Sequence, residues 1–330
     1  MKPTASVIFF LLGLVIRSDG QEIFEQKNDE FVRSLDQSYL QGLLFLQNTQ
    51  EEDGRWTDSS YGSEPGVLGM AVLAFLSRGD DPEFGPFSHS LTKAIRQILT
   101  QQNKETGYIG SSMYNHGFAT LALAEYYGVT NDAEIGPSLK KATNLIVSAQ
   151  NTNPKGAWRY SPESKDADTT ITGAQLVALF ASKNAGIDVP DEAIAKGKKF
   201  LLECQDKRGG FGYTGNSGAN LPRTAIGSLI LALSEDTNSK AYKASVEYLR
   251  QNSAFGDQGH KFYSLYYTAQ AMFRSSPEDW NRWNLTNVRQ LQASQSDSGS
   301  WTGNYGTTFA TSAALLSMAL NYRYLPIYER

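Results

Sequence analysis

One phrase returns six times along this chain: a helix ending in Leu-x-x-Gln, a turn, and then Gly-x-aromatic. The copies are LLFLQNTQEEDGRW (Gln47, Gly54, Trp56), ILTQQNKETGYIG (Gln102, Gly107, Tyr108), LIVSAQNTNPKGAW (Gln150, Gly156, Trp158) and FLLECQDKRGGFGY (Gln205, Gly209, Phe211). A decayed fifth copy, EYLRQNSAFG, carries Gln251 and Gly256, and the sixth, LQASQSDSGSW, carries Gln295, Gly299 and Trp301. Successive glutamines stand 55, 48, 55, 46 and 44 residues apart. A period near 50 is the signature of a repeat architecture, in which one supersecondary unit buries its apolar face against the next. Six such units consume residues 21–330 and leave no room for a linker or a second domain.

Each unit carries a second apolar stretch after its turn, at residues 66–76, 116–127, 169–182, 223–233, 263–273 and 307–320. These stretches are rich in Ala and Leu and long enough for three helical turns. The helices before the glutamines are different, since TKAIRQIL and KAYKASVEYLRQ alternate charged and apolar residues with helical period. Helices apolar all round belong inside, and amphipathic ones outside. Six pairs that close on themselves make an all-α, α/α toroid, an α6/α6 barrel of six helix-pair repeats.

Leu-x-x-Gln followed by Gly-x-Trp resembles the Gln-Trp repeat of squalene and oxidosqualene cyclases and of protein prenyltransferase β subunits. The likeness spans residues 36–330. A chain of this size with an export leader and an end like YRYLP (322–326) resembles bacterial secreted single-toroid members, similar to the C-terminal domain of a squalene–hopene cyclase. The resemblance implies that the glutamines cap helix ends and stack on the turn tryptophans as a brace. It also implies an isoprenoid or similar lipid as ligand.

Composition narrows the rest. Thirty basic against 34 acidic residues, a net charge of −4, offer no general attraction for nucleic acid. With one cysteine, Cys204, an internal disulfide and a cysteine-rich zinc cluster are excluded. The zinc site of the prenyltransferases does not carry over: Cys204 and Asp206 stand in reversed order, and Ser264 takes the place of the histidine. No metal and no cofactor are expected. Residues 1–20 read as a signal peptide, with Lys2 as the basic end, Val7–Ile16 as the apolar core, and cleavage after Gly20. That places the mature chain in the periplasm or outside the cell, where peripheral contact with a membrane is open to it. Asn284-Leu285-Thr286 is a glycosylation sequon.

The inner helices all start at the same end of the ring, so their first turns converge on one mouth. Glu64, Tyr114, His116, Asp166, Asp168, Thr169, Thr170, Arg223, Tyr263, Tyr267, Tyr305 and Thr308 fall there. Convergent polar groups beside an apolar cavity are where ligand sites form. Lys165-Asp-Ala-Asp-Thr-Thr170 resembles the Asp-x-Asp-Asp-Thr motif of squalene–hopene cyclases, with Thr169 where the third acid would stand. The resemblance makes Asp168 the acid that starts a cyclisation or isomerisation, held protonated beside Asp166. The residues alone read Asp168 equally as the N-cap of the helix starting at Thr169. His116 is a candidate acid or base at the mouth, and Thr170, Arg223, Tyr263, Tyr267, Tyr305 and Thr308 are candidate ligand contacts. The aromatic stripe Phe262, Tyr263, Tyr266, Tyr267 and Phe273 serves either as core or as a cation-stabilising wall.

Three functions follow. An isoprenoid-binding or cyclising toroid needs a deep apolar cavity. A non-catalytic envelope binding or scaffold module needs only the fold. A carbohydrate-active enzyme needs an open groove with two carboxylates, here Asp168 with Glu64. The oligomeric state is open.

Overall fold

The computed structural model describes residues 29–130, 132–253 and 259–328. The leader at residues 1–20 and the fifth turn glycine, Gly256, lie outside the described residues. Among the described residues twelve α-helices alternate between two layers, with no strands and only isolated bridges at Gln102–Ile109 and Gln205–Phe211. The outer layer is α1 (Asp29–Thr49), α3 (Ser88–Thr100), α5 (Ile135–Asn151), α7 (Asp191–Glu203), α9 (Lys240–Asn252) and α11 (Pro277–Ser294). The inner layer is α2 (Pro65–Ser77), α4 (Met113–Thr130), α6 (Thr169–Asn184), α8 (Leu221–Leu233), α10 (Lys261–Ser275) and α12 (Thr307–Ala319).

Each inner helix packs on the next, and α12 packs back on α2, so the ring closes. Among the outer helices α11 returns to α1. The layers differ as their sequences require. Every residue of α2 is buried, whereas α3 buries only Ser90, Leu91, Ala94, Ile95 and Ile98, one face of a helix. The two ends of the chain are tied at the seam. Asp58 accepts from the Thr308 amide at 3.0 Å and from its hydroxyl at 2.6 Å, and so caps α12, whose own N-cap position, Gly306, has no side chain to offer.

The repeat glutamine is a clamp between units. In five copies its Nε2 donates both hydrogens. One goes to the carbonyl of the turn glycine at 2.8–3.2 Å. The other goes to a carbonyl of the next outer helix at 2.8–3.0 Å, in turn Ser90, Ser138, Ala193, Ala241 and Ser38. The last of these joins the sixth unit to the first. In the first copy the clamp is Gln50, and Gln47 instead reaches Pro86 from a half-buried position. Trp56, Trp158 and Trp301 donate their indole N–H to Leu46, Ile146 and Leu291 of their own outer helices at 2.8–2.9 Å. In the second copy the buried aromatic position is held by Ile109, with Tyr108 beside it only partly buried.

The turn must be glycine for two reasons together. Gly209 sits at φ +90°, and a Cβ there would meet the Ala244 carbonyl at 2.3 Å. The turns thus press their backbone onto the neighbouring outer helix.

The end of the ring where the inner helices stop is covered by the chain's own C-terminal turn. Pro326–Tyr328 packs on α4 and α6, Tyr328 is buried, and Arg274 at the end of α10 donates to the Ile327 carbonyl at 2.6 Å. The sequon asparagine, Asn284, is buried, and its amide exchanges hydrogen bonds with Asn321 at 2.8 and 3.0 Å, so it is closed to glycan attachment in the fold.

Candidate functional site

At the opposite end, where the inner helices begin, a cavity of about 680 Å³ opens. All six inner helices line it from their first two turns: Gly66, Val67 and Met70 of α2, Tyr114, Asn115 and Phe118 of α4, Thr170 of α6, Pro222 and Arg223 of α8, Tyr263 of α10, and Phe309 of α12. The loops leading into them add Tyr61, Glu64, Ser111, Ser112, Tyr160, Tyr213, Asn220, His260 and Tyr305. Most of the lining surface is apolar. The bowl goes no deeper than Met70 and Phe118. Tyr266 and Tyr267 do not line it: both are fully buried and meet edge to face at 4.7 Å.

Six tyrosines line this mouth, one from each repeat: Tyr61, Tyr114, Tyr160, Tyr213, Tyr263 and Tyr305. Their rings touch across repeat boundaries. Tyr61 meets Tyr305 edge-on at 5.6 Å, Tyr114 meets Tyr160 at 6.1 Å and Tyr263 at 6.4 Å, and the Tyr160 and Tyr213 hydroxyls share a hydrogen bond of 2.6 Å. Burial pushes the Tyr114 and Tyr263 phenols up, so they remain neutral donors.

Asp168 stands behind this wall. Its carboxylate is fully buried and outside the cavity lining, with Thr170 between it and the bowl. Oδ1 accepts from the Thr170 amide at 2.8 Å, the Ile171 amide at 2.9 Å and the Thr170 hydroxyl at 2.6 Å, which makes it the N-cap of α6. Oδ2 faces Arg159 Nε at 3.3 Å, an ion pair without hydrogen-bond alignment. Burial raises the Asp168 pKa, while the Thr170 hydroxyl, the two amides and Arg159 pull it back. Asp166 points outward with its side chain 65% exposed and pairs with the same Arg159 at 2.7 Å. The two carboxylates therefore share a cation and do not share a proton. Arg159 itself lies over the Tyr160 and Tyr213 rings at 5.3 and 5.2 Å.

Three further candidates fall away from the bowl. His116 is fully buried between its own repeat and α5: Nδ1 accepts from the Ile109 amide at 3.1 Å and Nε2 donates to the Ala142 carbonyl at 3.0 Å. Desolvation lowers its pKa to about 4, so it is a neutral brace. Thr308 is buried on Asp58, and Tyr267 lies under Tyr263 at 5.0 Å. Thr170, Arg223, Tyr263 and Tyr305 do line the cavity, as do Glu64 and Tyr114. Sequence reasoning did not single out Tyr160, Tyr213, Asn115, Asn220 or His260. One signal was available. The residue two places after the buried Trp56, Ile109, Trp158 or Phe211 reaches the rim side of its unit, giving Asp58, Ser111, Tyr160 and Tyr213.

Polar contacts hold the charged groups of the mouth. Glu64 accepts from the Asn115 amide and, at 3.3 Å, from the Ser111 hydroxyl. Arg223 donates Nε to Asn220 at 2.9 Å, and its guanidinium lies 5.6 Å from the centre of the Tyr213 ring. The His260 ring stacks on Tyr305, with Nδ1 at 2.7 Å from the phenol oxygen.

No curated protein matches the chain in sequence. A family model described as a domain of unknown function (DUF6288) matches residues 40–328. Among solved structures the fold is similar to the GH76A α-1,6-mannanase from Salegentibacter sp. HEL1_6, with a TM-score of 0.66 and 12% identity over 86% of this chain and 98% of the mannanase. It is similar also to the type II terpene cyclase MstE from Scytonema, with a TM-score of 0.61 and 14% identity over 89% of this chain and 99% of the cyclase. A complex of a single-residue variant of that cyclase with the substrate geranylgeranyl dihydroxybenzoate matches at a TM-score of 0.62 and 14% identity, over 90% and 99% of the two chains. At such identities the likeness establishes the α/α toroid and no activity.

Proposed function

The chain belongs to the DUF6288 family, and we propose that it binds an amphiphilic small molecule, an isoprenoid or similar lipid, in the mouth of its toroid. The observation that carries this reading is the ring of six tyrosines, one per repeat, around a cavity of about 680 Å³. Phenols present an apolar ring and a polar tip, which suits a ligand with an oily body and a hydrogen-bonding head. The volume falls within the range of about 300–1,000 Å³ typical of small-molecule sites. Val67, Met70, Phe118 and Phe309 would take the body, and the rim would take the head.

The reading is of binding rather than of turnover at Asp168. An acid that protonates a ligand must reach it within hydrogen-bond range or through one water. Asp168 would act only through Thr170, and its Oδ1 already serves two amides and that hydroxyl. Export through residues 1–20 belongs to the same proposal, and N-terminal sequencing of the recovered protein checks it.

A carbohydrate ligand is the second reading. The tyrosine ring favours it too, since sugar faces stack on aromatic rings. Glycoside hydrolysis by the usual route needs two flanking carboxyl groups. Glu64 is the one carboxylate among the described lining residues, so this second reading concerns binding as well. Tyrosine-fluorescence titrations with geranylgeraniol and with α-1,6-mannotriose separate the two. Saturable quenching by the prenyl alcohol, lost in Val67→Trp, is the expected result. Saturation by the sugar alone moves the assignment to carbohydrate, and no saturation by either overturns the site.

A further inference from the structure

We infer that the ligand's head carries both charges, an anion and an ammonium group, and that Arg223 and Glu64 hold them from opposite walls of the mouth. The inference rests on the proposal that this mouth binds an amphiphile. In the ring α2 touches α4 and α12, while α8 touches α6 and α10, so α2 and α8 face each other across the axis. Glu64 leads directly into α2, and Arg223 is in the first turn of α8. Adjacent helix axes pack about 8–10 Å apart, which puts opposite members of a six-helix ring roughly 16–20 Å apart. Both side chains line the same cavity.

Each of these charges lacks a charged partner among the described residues. The ion pairs of the fold engage Arg159, Arg78, Arg250 and others, but neither Glu64 nor Arg223. Neutral groups hold both in place instead: Asn115 and Ser111 orient the carboxylate, and Asn220 with the Tyr213 face orients the guanidinium. Both groups line the cavity and are open to a counter-charge carried by a ligand. Opposite charges on opposite walls select a molecule that bears both. The tyrosine ring adds to this, because phenol faces attract an ammonium group from several sides. A guanidinium takes a carboxylate or a phosphate oxygen pair in the plane of its N–H groups. The shared chemistry is a zwitterionic head, from a free amphiphile or from a lipid in a bilayer.

Four decyl compounds with one tail and different heads test this: decylphosphocholine, decyltrimethylammonium, decyl phosphate and decanol. Each is titrated below its micelle concentration with tyrosine fluorescence as the readout. Decylphosphocholine is expected to bind about tenfold or more tighter than either singly charged compound. Glu64→Gln is expected to abolish the advantage over decyl phosphate, and Arg223→Gln the advantage over decyltrimethylammonium, with unchanged melting temperatures. Equal affinity for all four heads, or a preference untouched by either substitution, overturns the zwitterion while leaving the amphiphile site standing. If none of the four binds, the site itself fails. Sedimentation with phosphatidylcholine vesicles then assigns the source. Binding to vesicles points to a bilayer lipid, and binding to the free compound alone points to a soluble zwitterion.

Discussion

Replacing Asp168 by alanine should cost far more stability than replacing it by asparagine, because the carboxylate works as a hydrogen-bond acceptor at the start of α6. Its Oδ1 takes three hydrogen bonds of 2.6–2.9 Å in a fully buried position. Losing a cap costs about 1 kcal/mol and up to about 2. Alanine also leaves the Thr170 hydroxyl without the acceptor it reaches at 2.6 Å, worth about 1–2 kcal/mol more. Arg159 keeps Asp166 in both variants, so the lost ion pair adds little. The expected total is roughly 2–4 kcal/mol for Asp168→Ala, and about 1 kcal/mol for Asp168→Asn, whose side-chain oxygen still caps. In a chain of this size each kcal/mol moves the melting temperature by about 2–4 °C. Thermal melts followed by circular dichroism should therefore show a drop of roughly 5–10 °C for alanine and a few degrees for asparagine.

The pH dependence has a definite sign. Burial raises the Asp168 pKa above its ordinary value of 3.8, so the native state binds this proton more tightly than the unfolded chain. Wild type then loses stability relative to Asp168→Asn as pH rises from that value through the raised one, and regains it on acidification. Neither variant should lose ligand, since Asp168 does not line the cavity. Equal melting temperatures for wild type and both variants would refute the cap. An Asp168→Asn protein that melts like wild type but accumulates an unconverted ligand would restore the acid.

Other expectations follow from the same contacts. Gln150→Ala removes two hydrogen bonds, to Gly156 at 2.9 Å and Ala193 at 2.8 Å, and should cost about 2–3 kcal/mol in urea unfolding, whereas Gln47→Ala, which removes one hydrogen bond from a half-buried position, should cost about 1 or less. Gly209→Ala meets both a φ of +90° and the Ala244 carbonyl at 2.3 Å, so it should be several-fold more destabilising than Gly186→Ala, which shares the φ sign at +82° but meets nothing within 4 Å. His116, with its pKa lowered to about 4, stabilises the fold above the ordinary value of 6.5. That contribution, on the order of 3 kcal/mol, is lost as pH falls between the two values, and His116→Gln should flatten this part of the stability–pH curve.

The toroid was legible because its repeat is written in glycine, glutamine and tryptophan, residues whose turn and clamp roles leave few substitutes. The register of the clamp was not legible in the first copy. LLFLQNTQ places Gln47 and Gln50 three residues apart, one helical turn, and only the fold shows which reaches Gly54. The same limit governs the site. Sequence placed the starts of the inner helices at one mouth, and Thr170, Arg223, Tyr263 and Tyr305 do line it. It could not choose among neighbours on those helices, because α2, α4 and α12 have no single apolar face and so carry no direction toward the axis. His116 and Thr308 therefore read as mouth residues, while their side chains turn into the joints between layers and repeats. Tyr160 and Tyr213 were hidden for a different reason: they sit in the loops, outside any helical period.

The central claim is that the tyrosine-ringed mouth holds a small molecule. Native mass spectrometry of the protein purified without detergent, beside Val67→Trp, tests it most directly, because Val67 lines the cavity and a tryptophan there would occupy it. The account predicts a discrete mass adduct on wild type, released on gentle activation and identified by lipid extraction. It predicts no adduct on the variant, with an unchanged melting temperature. An identical adduct on both proteins would place the ligand elsewhere and contradict the claim. A wild type that stays bare even after incubation with the four decyl compounds would contradict it as well.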